Sequence, residues 1–240
     1  MSCNYFVYLY VSLFERKNIC NFAPRLNYNY SFSQFEKVED MQKIIKSSIL
    51  AGIFIAVAGY IYLTVSGIVG ACMFAFGLLG VCYIGLHLYT GKAGSVSLNK
   101  SDDIYYPVLG WILLFNVVGT TIVALMLSVV AGDGVISNLQ AIINNRLNAT
   151  ALEAIIKAIF CGFIMEMAVF MYKKNTPLGI LFGVPLFILC GFYHSIADSF
   201  YYALYLFHGG KFETALLVTY LLSIFGNLLG CNVRRIFVKA

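Results

Sequence analysis

Two ionisable side chains lie in one of the most apolar regions of the sequence. Residues 191–202, GFYHSIADSFYY, contain His194 and Asp198 among aromatic and aliphatic residues. The charge of an imidazole changes near neutral pH, so His194 can exchange a proton with a weak acid that passes it. Asp198 follows four residues later, and on a continuous helix its carboxylate would face the same side and act on the proton binding of the imidazole.

The elements that must position these residues are membrane-spanning helices. Hydrophobic residues make up 60% and charged residues 11% of the 240 residues, whereas soluble domains have roughly 25% charged residues. A spanning helix needs about 20 mostly apolar residues, and the sequence predicts six. Two share residues 47–91 and turn near residues 64–67, and the others lie at residues 104–132, 151–172, 176–207 and 215–233.

Basic residues near the helix ends predict the orientation, because short cytoplasmic loops retain Lys and Arg. One side of the membrane would carry Lys43, Lys46, Lys92, Lys100, Lys173, Lys174, Arg234, Arg235 and Lys239. The other side would carry only Arg146 and Lys211. Both termini of this multi-pass protein are therefore predicted to be cytoplasmic. The protein itself is predicted to lie in the plasma (inner) membrane.

The chain is predicted to have two parts. Residues 1–40 hold scattered charges and no apolar segment long enough to cross, which predicts a poorly ordered cytoplasmic extension. Residues 41–240 form the six-helix membrane domain.

The six spans divide into two halves of three, which must have opposite orientations when both termini lie on one side. In the second helix of the first half, GLHLYTGKAGS at residues 85–95 interrupts the apolar run. In the second helix of the other half, Pro185 is followed by CGFYH at residues 190–194. Broken helices at membrane depth are tolerated where the freed backbone lines a cavity. The fold class is therefore an all-α membrane protein with two inverted three-helix repeats and broken helices 2 and 5, whose matching breaks point to a substrate path.

Four motifs in these spans resemble those of the formate/nitrite transporter family. GLHLYTGK at residues 85–92 is similar to its Gly-x-Glu-Leu-Phe-Thr-Gly-Asn loop, and GFYHSIAD at residues 191–198 to its Gly-Phe-Glu-His-Ser-Ile-Ala-Asn signature. WILLFNVVG at residues 111–119 and GNLLG at residues 226–230 resemble its third and sixth helices. The resemblance covers residues 45 to 235.

This resemblance implies a homopentamer of aquaporin-like protomers, each with a pore for a small monovalent anion of the formate, nitrite or hydrosulfide type. His194 would be the central histidine, with Thr90 as the loop threonine. Leu88 and Tyr89 would form the inner constriction, and Phe74 and Phe187 the outer aromatic gate.

Several positions depart from the family pattern. His87 and Tyr193 replace glutamates, Lys92 and Asp198 replace asparagines, and Gly162 stands where the family has a pore asparagine. His87, Asp198, Glu166 and Gly162 are therefore candidate modulators of selectivity. One hypothesis is that His87, Asp198 and Glu166 form a buried network that replaces these glutamates.

Arg146 and Lys157 are candidate cations at the outer mouth. Arg146 falls at the family's pore-mouth lysine, and either cation would concentrate anions there. A bare ion loses much hydration energy in a low-dielectric constriction, so a weak acid crosses more cheaply in its neutral form. For Lys157 a local ion pair with Glu153, four residues earlier on the helix, is the simpler interpretation.

Other classes of function remain as alternatives or are disfavoured. With only three histidines and neither an HExxH motif nor a nucleophile with its base, the sequence disfavours an enzyme and predicts no metal or other cofactor. The expected partners are the anion, a proton and the lipid bilayer, and no nucleic acid. A pore for small neutral solutes or water, or a scaffold that transports nothing, would also fit an apolar constriction around an imidazole.

Overall fold

The computed structural model describes residues 28–96 and 106–237, with side chains from Asp40 onward. The expectation for residues 1–40 therefore lies largely outside the described residues, while Met41–Ala240 groups into one compact unit. The described helices are α1 (Tyr28–Val65), α2 (Gly67–Ile84), α3 (Tyr89–Lys92), α4 (Tyr106–Ser128), α5 (Asp133–Leu147), α6 (Ala151–Lys173), α7 (Leu178–Leu189), α8 (Ser195–Phe207) and α9 (Thr214–Phe237), with a short 3-10 turn at Ala93–Ser95.

Five of these helical segments are long and apolar enough to cross a membrane. They are Asp40–Val65 within α1, Gly67–Ile84, Tyr106–Ser128, Ala151–Lys173 and Thr214–Phe237. The segment at residues 176–207 differs, because it consists of the short apolar helix α7 and the separate helix α8. Neither of these two helices reaches the roughly 20 residues that crossing a bilayer requires.

The backbone leaves the helical path in the same way after α2 and after α7. Gly85 has φ 77° and Gly191 has φ 65°, in the left-handed region that a glycine adopts without a Cβ clash. Leu86 N then donates to Val81 O at 2.8 Å, and Phe192 N donates to Phe187 O at 2.9 Å. Both are the long-range bond of a Schellman motif, which ends a helix and redirects the chain. Each motif is followed by three residues of non-helical chain and then by a new helix, α3 or α8.

Helix packing brings the two breaks into the interior. Helix α2 packs against α7, α4 against α8, and α9 against α6. Two of the helix crossings are so close that a glycine contacts the backbone of its partner. A Cβ added to Gly52 in α1 would overlap the carbonyl oxygen of Asn116, and one added to Gly162 in α6 would overlap that of Asn227.

Candidate permeation site

Three of the six residues predicted to line the pore, Phe74, Phe187 and His194, meet around a cavity of about 270 Å³, the first cavity. Its walls include Phe74 from α2, Phe187 from α7 and His194 from the second break. Arg146 from α5 and Asp198 from the first turn of α8 also line it. All five side chains are buried, so the interior of the described membrane unit holds a cavity walled by aromatic rings and a few ionisable groups.

Three rings contact one another in series at this cavity. Phe74 and Phe187 meet edge to face, with centroids 6.1 Å apart, and Phe187 stacks on the His194 imidazole at 5.6 Å. The two phenylalanines come from different helices and are both almost fully buried. An apolar aromatic pair therefore lies directly beside the imidazole, and its role as the outer gate stays a prediction.

Both ring nitrogens of His194 have partners within the protein. Nδ1 accepts a hydrogen bond from Ala197 N at 3.1 Å, which caps the first turn of α8. An Nδ1 that accepts carries no proton, so we assign the ring proton to Nε2. Nε2 lies 3.0 Å from Thr90 Oγ1 and, in this tautomer, donates to it. The hydroxyl proton of Thr90 is then available to a second acceptor.

A second cavity of about 90 Å³ is lined by residues from α2, the first break, α3 and α6. Leu88 and Gly91 line it, as do the ammonium-bearing side chains Lys92 and Lys173. Thr90, which contacts His194 of the first cavity, is fully buried and lies between Leu88 and Gly91 in the sequence.

A buried asparagine stabilises the non-helical backbone of the first break. Asn116 in α4 accepts a hydrogen bond from Tyr89 N at 2.8 Å through Oδ1. Its Nδ2 donates to His87 O at 2.9 Å and to Ser48 O at 2.8 Å. The amide thus satisfies backbone groups on both sides of Leu88 that the interrupted helix leaves without partners.

A second asparagine does the same at the second break. Asn227 in α9 accepts from Ser195 N at 2.8 Å, and its Nδ2 donates to Tyr193 O at 2.8 Å and to Ala158 O at 2.9 Å. These partners flank His194 as the partners of Asn116 flank Leu88. Leu88 and His194 therefore occupy equivalent positions in two hydrogen-bonded frames.

The sequence motifs did not indicate that these asparagines support the breaks. The available signal was the repeated pattern Asn-x-x-Gly, NVVG at 116–119 and NLLG at 227–230. In each pattern the glycine lies against the helix that also supplies a carbonyl to the asparagine, since an added Cβ would overlap Ile49 O in one case and Ile159 O in the other. GNLLG was identified only by its resemblance to the family's sixth helix, which did not indicate the role of the asparagine inside it.

Tyr89 is buried and forms part of the first frame. Its backbone N–H donates to Asn116, and its hydroxyl donates to Ile224 O of α9 at 3.0 Å. Tyr89 is not among the residues that line either of the two cavities described above. Its expected place at the inner constriction stays a prediction.

Arg146 and Asp198 contact each other. Arg146 Nη2 donates to Asp198 Oδ1 at 3.0 Å, and both side chains are at least nine-tenths buried. The carboxylate of Asp198 shares the wall of the first cavity with His194, but its hydrogen bond is to the guanidinium. Its effect on the proton binding of the imidazole stays a prediction. Only the backbone N–H of Asp198 bonds His194, donating to the carbonyl oxygen at 2.8 Å.

Lys157 forms the local pair that its spacing predicted. Its Nζ lies 2.7 Å from Glu153 Oε1, on the first turns of α6. Lys157 Nζ also lies 5.3 Å from the ring centroid of Tyr193, whose other contact with a cation is Arg146, with Cζ at 4.1 Å. Tyr193 thus replaces a family glutamate with a ring that two cations approach.

The expected network of His87, Glu166 and Asp198 is wrong, because each side chain has a different partner. Nδ1 of His87 lies 2.8 Å from Ser47 Oγ. Glu166 Oε1 accepts from Arg234 Nη2 at 2.9 Å near the ends of α6 and α9. Glu166 lies in α6, Asp198 in α8 and His87 in the first break, so these three residues form no shared site.

Gly162 lies in the contact between α6 and α9. Its position against Asn227 O leaves no space for a side chain, and Cys231 Sγ donates to its carbonyl oxygen at 3.3 Å. It is not among the residues that line the two cavities. Its role as a modulator of selectivity stays a prediction.

Comparisons with known proteins agree with this geometry. Residues 33–238 match the family model described as formate/nitrite transporter. A probable formate transporter of Methanothermobacter thermautotrophicus is 24% identical over 242 residues, covering 83% of this chain and 88% of that protein. The formate channel FocA of Escherichia coli is 26% identical over 179 residues, covering 64% of this chain and 62% of that protein.

Solved structures share the fold. A pentameric formate channel with formate bound gives a TM-score of 0.71 at 19% identity, covering 81% of this chain and 94% of that one. An ion channel of the same family gives a TM-score of 0.71 at 23% identity, covering 79% of this chain and 86% of that one.

Proposed function

Because the chain belongs to the formate/nitrite transporter family, we propose that small monovalent weak-acid anions, of the formate, nitrite or hydrosulfide type, cross the membrane through it with the help of a proton at His194. The family is one of anion channels and transporters and not of enzymes. The observation that carries the proposal is the buried imidazole of His194, which lies beside the Phe74–Phe187 pair and contacts Thr90.

The proton would move through Nε2. Nδ1 is engaged in capping α8, so the proton that can be exchanged without disturbing the helix is the one shared between Nε2 and Thr90. The hydroxyl of Thr90 gives its proton to the permeating anion and takes the Nε2 proton in its place, while Nε2 regains a proton from the solution, so the imidazole stays neutral and the acid carries one proton from the solution. The acid then passes the constriction uncharged, which avoids most of the cost of desolvating an ion.

The paired breaks support a six-helix inverted repeat. In this proposal α1, α2 with α3, and α4 form one half, and α6, α7 with α8, and α9 form the other. The frames around Asn116 and Asn227 use equivalent atoms in the two halves. An odd number of spans in each half gives the halves opposite orientations.

The surroundings of the protomer follow from the family and from the distribution of charge. The excess of Lys and Arg on one side supports a cytoplasmic position for both termini, with the protein in the plasma (inner) membrane. Solved relatives include a pentameric channel, and we extend that assembly to this chain. Each protomer would have its own pore around His194.

Flux into liposomes tests the function. Purified protein should take up labelled formate, nitrite or hydrosulfide, and uptake should rise as the external pH falls because more protons are available. His194→Ala should abolish the uptake. His208→Ala is the matched control, since His208 is exposed at the end of α8 and should leave the uptake intact.

Uncharged solutes distinguish the competing functions in the same assay. Glycerol flux with no anion uptake would show a pore for neutral solutes. Folded protein that carries neither solute would show a scaffold, and either result would overturn the proposal.

A further inference from the structure

The first cavity has a charged pair in its wall that the described helices keep away from solvent. Arg146 comes from α5 and Asp198 from α8, and their side chains are 9% and 0% exposed. The guanidinium remains charged in proteins, and a carboxylate within hydrogen-bond distance of it is the ion that complements it. The pair therefore places one positive and one negative charge side by side at the cavity.

No other Lys, Arg, Asp or Glu is among the residues that line this cavity. Lys157, the second predicted cation, pairs with Glu153 at 2.7 Å and is not part of that wall. With His194 neutral, as its hydrogen bonds indicate, the charges on the described wall of the first cavity sum to zero.

The guanidinium is also held in place by uncharged groups. Nη1 of Arg146 donates to Asn145 Oδ1 at 3.3 Å, and the same oxygen accepts the Tyr193 hydroxyl at 3.0 Å. The guanidinium lies over the Tyr193 ring, with Cζ 4.1 Å from the centroid. These contacts fix the guanidinium beside Asp198, while its Nε has no hydrogen-bond partner among the described residues. An entering anion therefore meets the positive charge of Arg146 together with the negative charge of Asp198.

We propose that Asp198 is a specificity-determining residue that cancels the attraction of Arg146 for anions, so that the first cavity does not concentrate the anionic form of a small weak acid over its uncharged form. The proposal rests on the proposed transport function and specifies the form of the substrate at this cavity. A carboxylate repels an approaching anion about as strongly as the adjacent guanidinium attracts it, so their sum gives little steering. An uncharged acid experiences neither force and can still hydrogen-bond to the polar wall.

The salt dependence of uptake measures this steering. Attraction by an unpaired charge is screened by added salt, whereas a neutral wall leaves the rate of uptake nearly independent of ionic strength. In wild-type proteoliposomes, initial uptake of labelled formate should therefore change little between low and high salt. A steep fall with salt in the wild type would overturn the proposal.

Asp198→Asn should create the missing attraction. The substitution keeps the shape of the side chain and leaves the guanidinium without its carboxylate. At neutral pH and low salt, formate uptake should rise about tenfold, and this gain should disappear in high salt. Uptake that is unchanged, or that rises equally at all salt concentrations, would contradict a role in cancelling charge.

The double variant Arg146→Gln with Asp198→Asn provides a control. Removing one partner of a buried pair can prevent folding, whereas this variant replaces both charges with amides. Its uptake should be as independent of salt as that of the wild type. If the wild type shows a salt dependence that the double variant lacks, Arg146 attracts anions in spite of Asp198 and the proposal fails. This comparison holds even if Asp198→Asn alone does not fold.

The outcomes separate this inference from the transport function. If the wild type and all variants carry no formate at any salt concentration, the proposed function fails. If the wild type carries formate and the salt dependence contradicts the pattern above, only the role of Asp198 fails.

Discussion

His194 contributes to structure and to the proposed transport through opposite edges of one ring. Nδ1 caps α8 through Ala197 N, and Nε2 faces Thr90. The cap fixes both the direction of the ring and the nitrogen that carries the proton. A side chain without two nitrogens in this arrangement cannot replace both contacts.

Thr90→Val should separate the hydroxyl from the shape of its side chain. The valine fills the same space but leaves the Nε2–H of His194 without an acceptor, at a cost of about 1–3 kcal/mol. Because the hydroxyl also relays the proton in the proposed function, formate flux should fall about tenfold or more, as 1.4 kcal/mol corresponds to a factor of ten. Initial uptake in proteoliposomes measures the effect.

Thr64→Val is the control for this change. Thr64 is exposed and donates to Tyr60 O of its own helix, so its loss should leave the flux unchanged. Equal flux in Thr90→Val and the wild type would remove Thr90 from the pathway.

At the residue scale, motifs predicted positions better than partners. The loop motif and the histidine motif placed Thr90 and His194 in broken segments, and the structure brings them to 3.0 Å. The spacing of Asp198 predicted that its carboxylate faces the same side as His194, but it did not indicate the Arg146 guanidinium of α5 that donates to it. A partner that is 52 positions away in the sequence leaves no trace in local spacing.

At the scale of helices, two small residue types make the breaks possible. Glycine lets neighbouring helices touch backbone to backbone, and asparagine then reaches the unpaired groups of the break. An apolar bilayer offers no water to these groups, so the asparagine must satisfy them. The glycines and asparagines therefore act as one unit.

Gly162→Ala should destabilise the membrane unit. Its Cβ would overlap Asn227 O, which forces α6 and α9 apart. Overpacking of this kind costs typically about 1–3 kcal/mol, and separation would also weaken the bonds of Asn227 to the second break. The midpoint of thermal unfolding in detergent should fall, together with formate flux.

Gly110→Ala is the matched substitution in α4. Nothing lies within 4 Å of its added Cβ, and alanine favours helix by about 1 kcal/mol over glycine. The midpoint should stay the same or rise. A similar fall in both variants would show that the close approach at Gly162 is not the cause.

At this scale the sequence predicted most of the spans, because apolar length is a direct requirement of the bilayer. Gly85 and Gly191 marked the breaks through their positions after apolar runs. The role of Asn116 was not predictable from apolar length, since its partners come from two other segments, α1 and the first break.

For the whole molecule, the decisive property is that each protomer contains its own first cavity. Phe74, Phe187 and His194 all belong to one chain, so the proposed site requires no residue from a neighbouring subunit. Assembly and permeation are then separable properties.

Mixed assemblies test this independence. If wild-type and His194→Ala subunits are combined in known ratios, formate flux should fall in proportion to the fraction of the variant, because each pore works alone. Native mass spectrometry of the same samples should show five subunits and a random distribution of the two. A steep loss at low fractions of the variant would show that the pores depend on one another, and another subunit number would contradict the pentamer.

Because Leu88 and His194 occupy equivalent positions, a single side chain decides where along the proposed pathway the central imidazole lies. Two similar frames hold these positions, one beside each cavity, and an imidazole occupies the position only in the second frame. The hydrogen-bonded frames are thus alike, whereas the side chains that they present differ. Exchanging the two residues should move the imidazole from the first cavity to the second without a change in either frame.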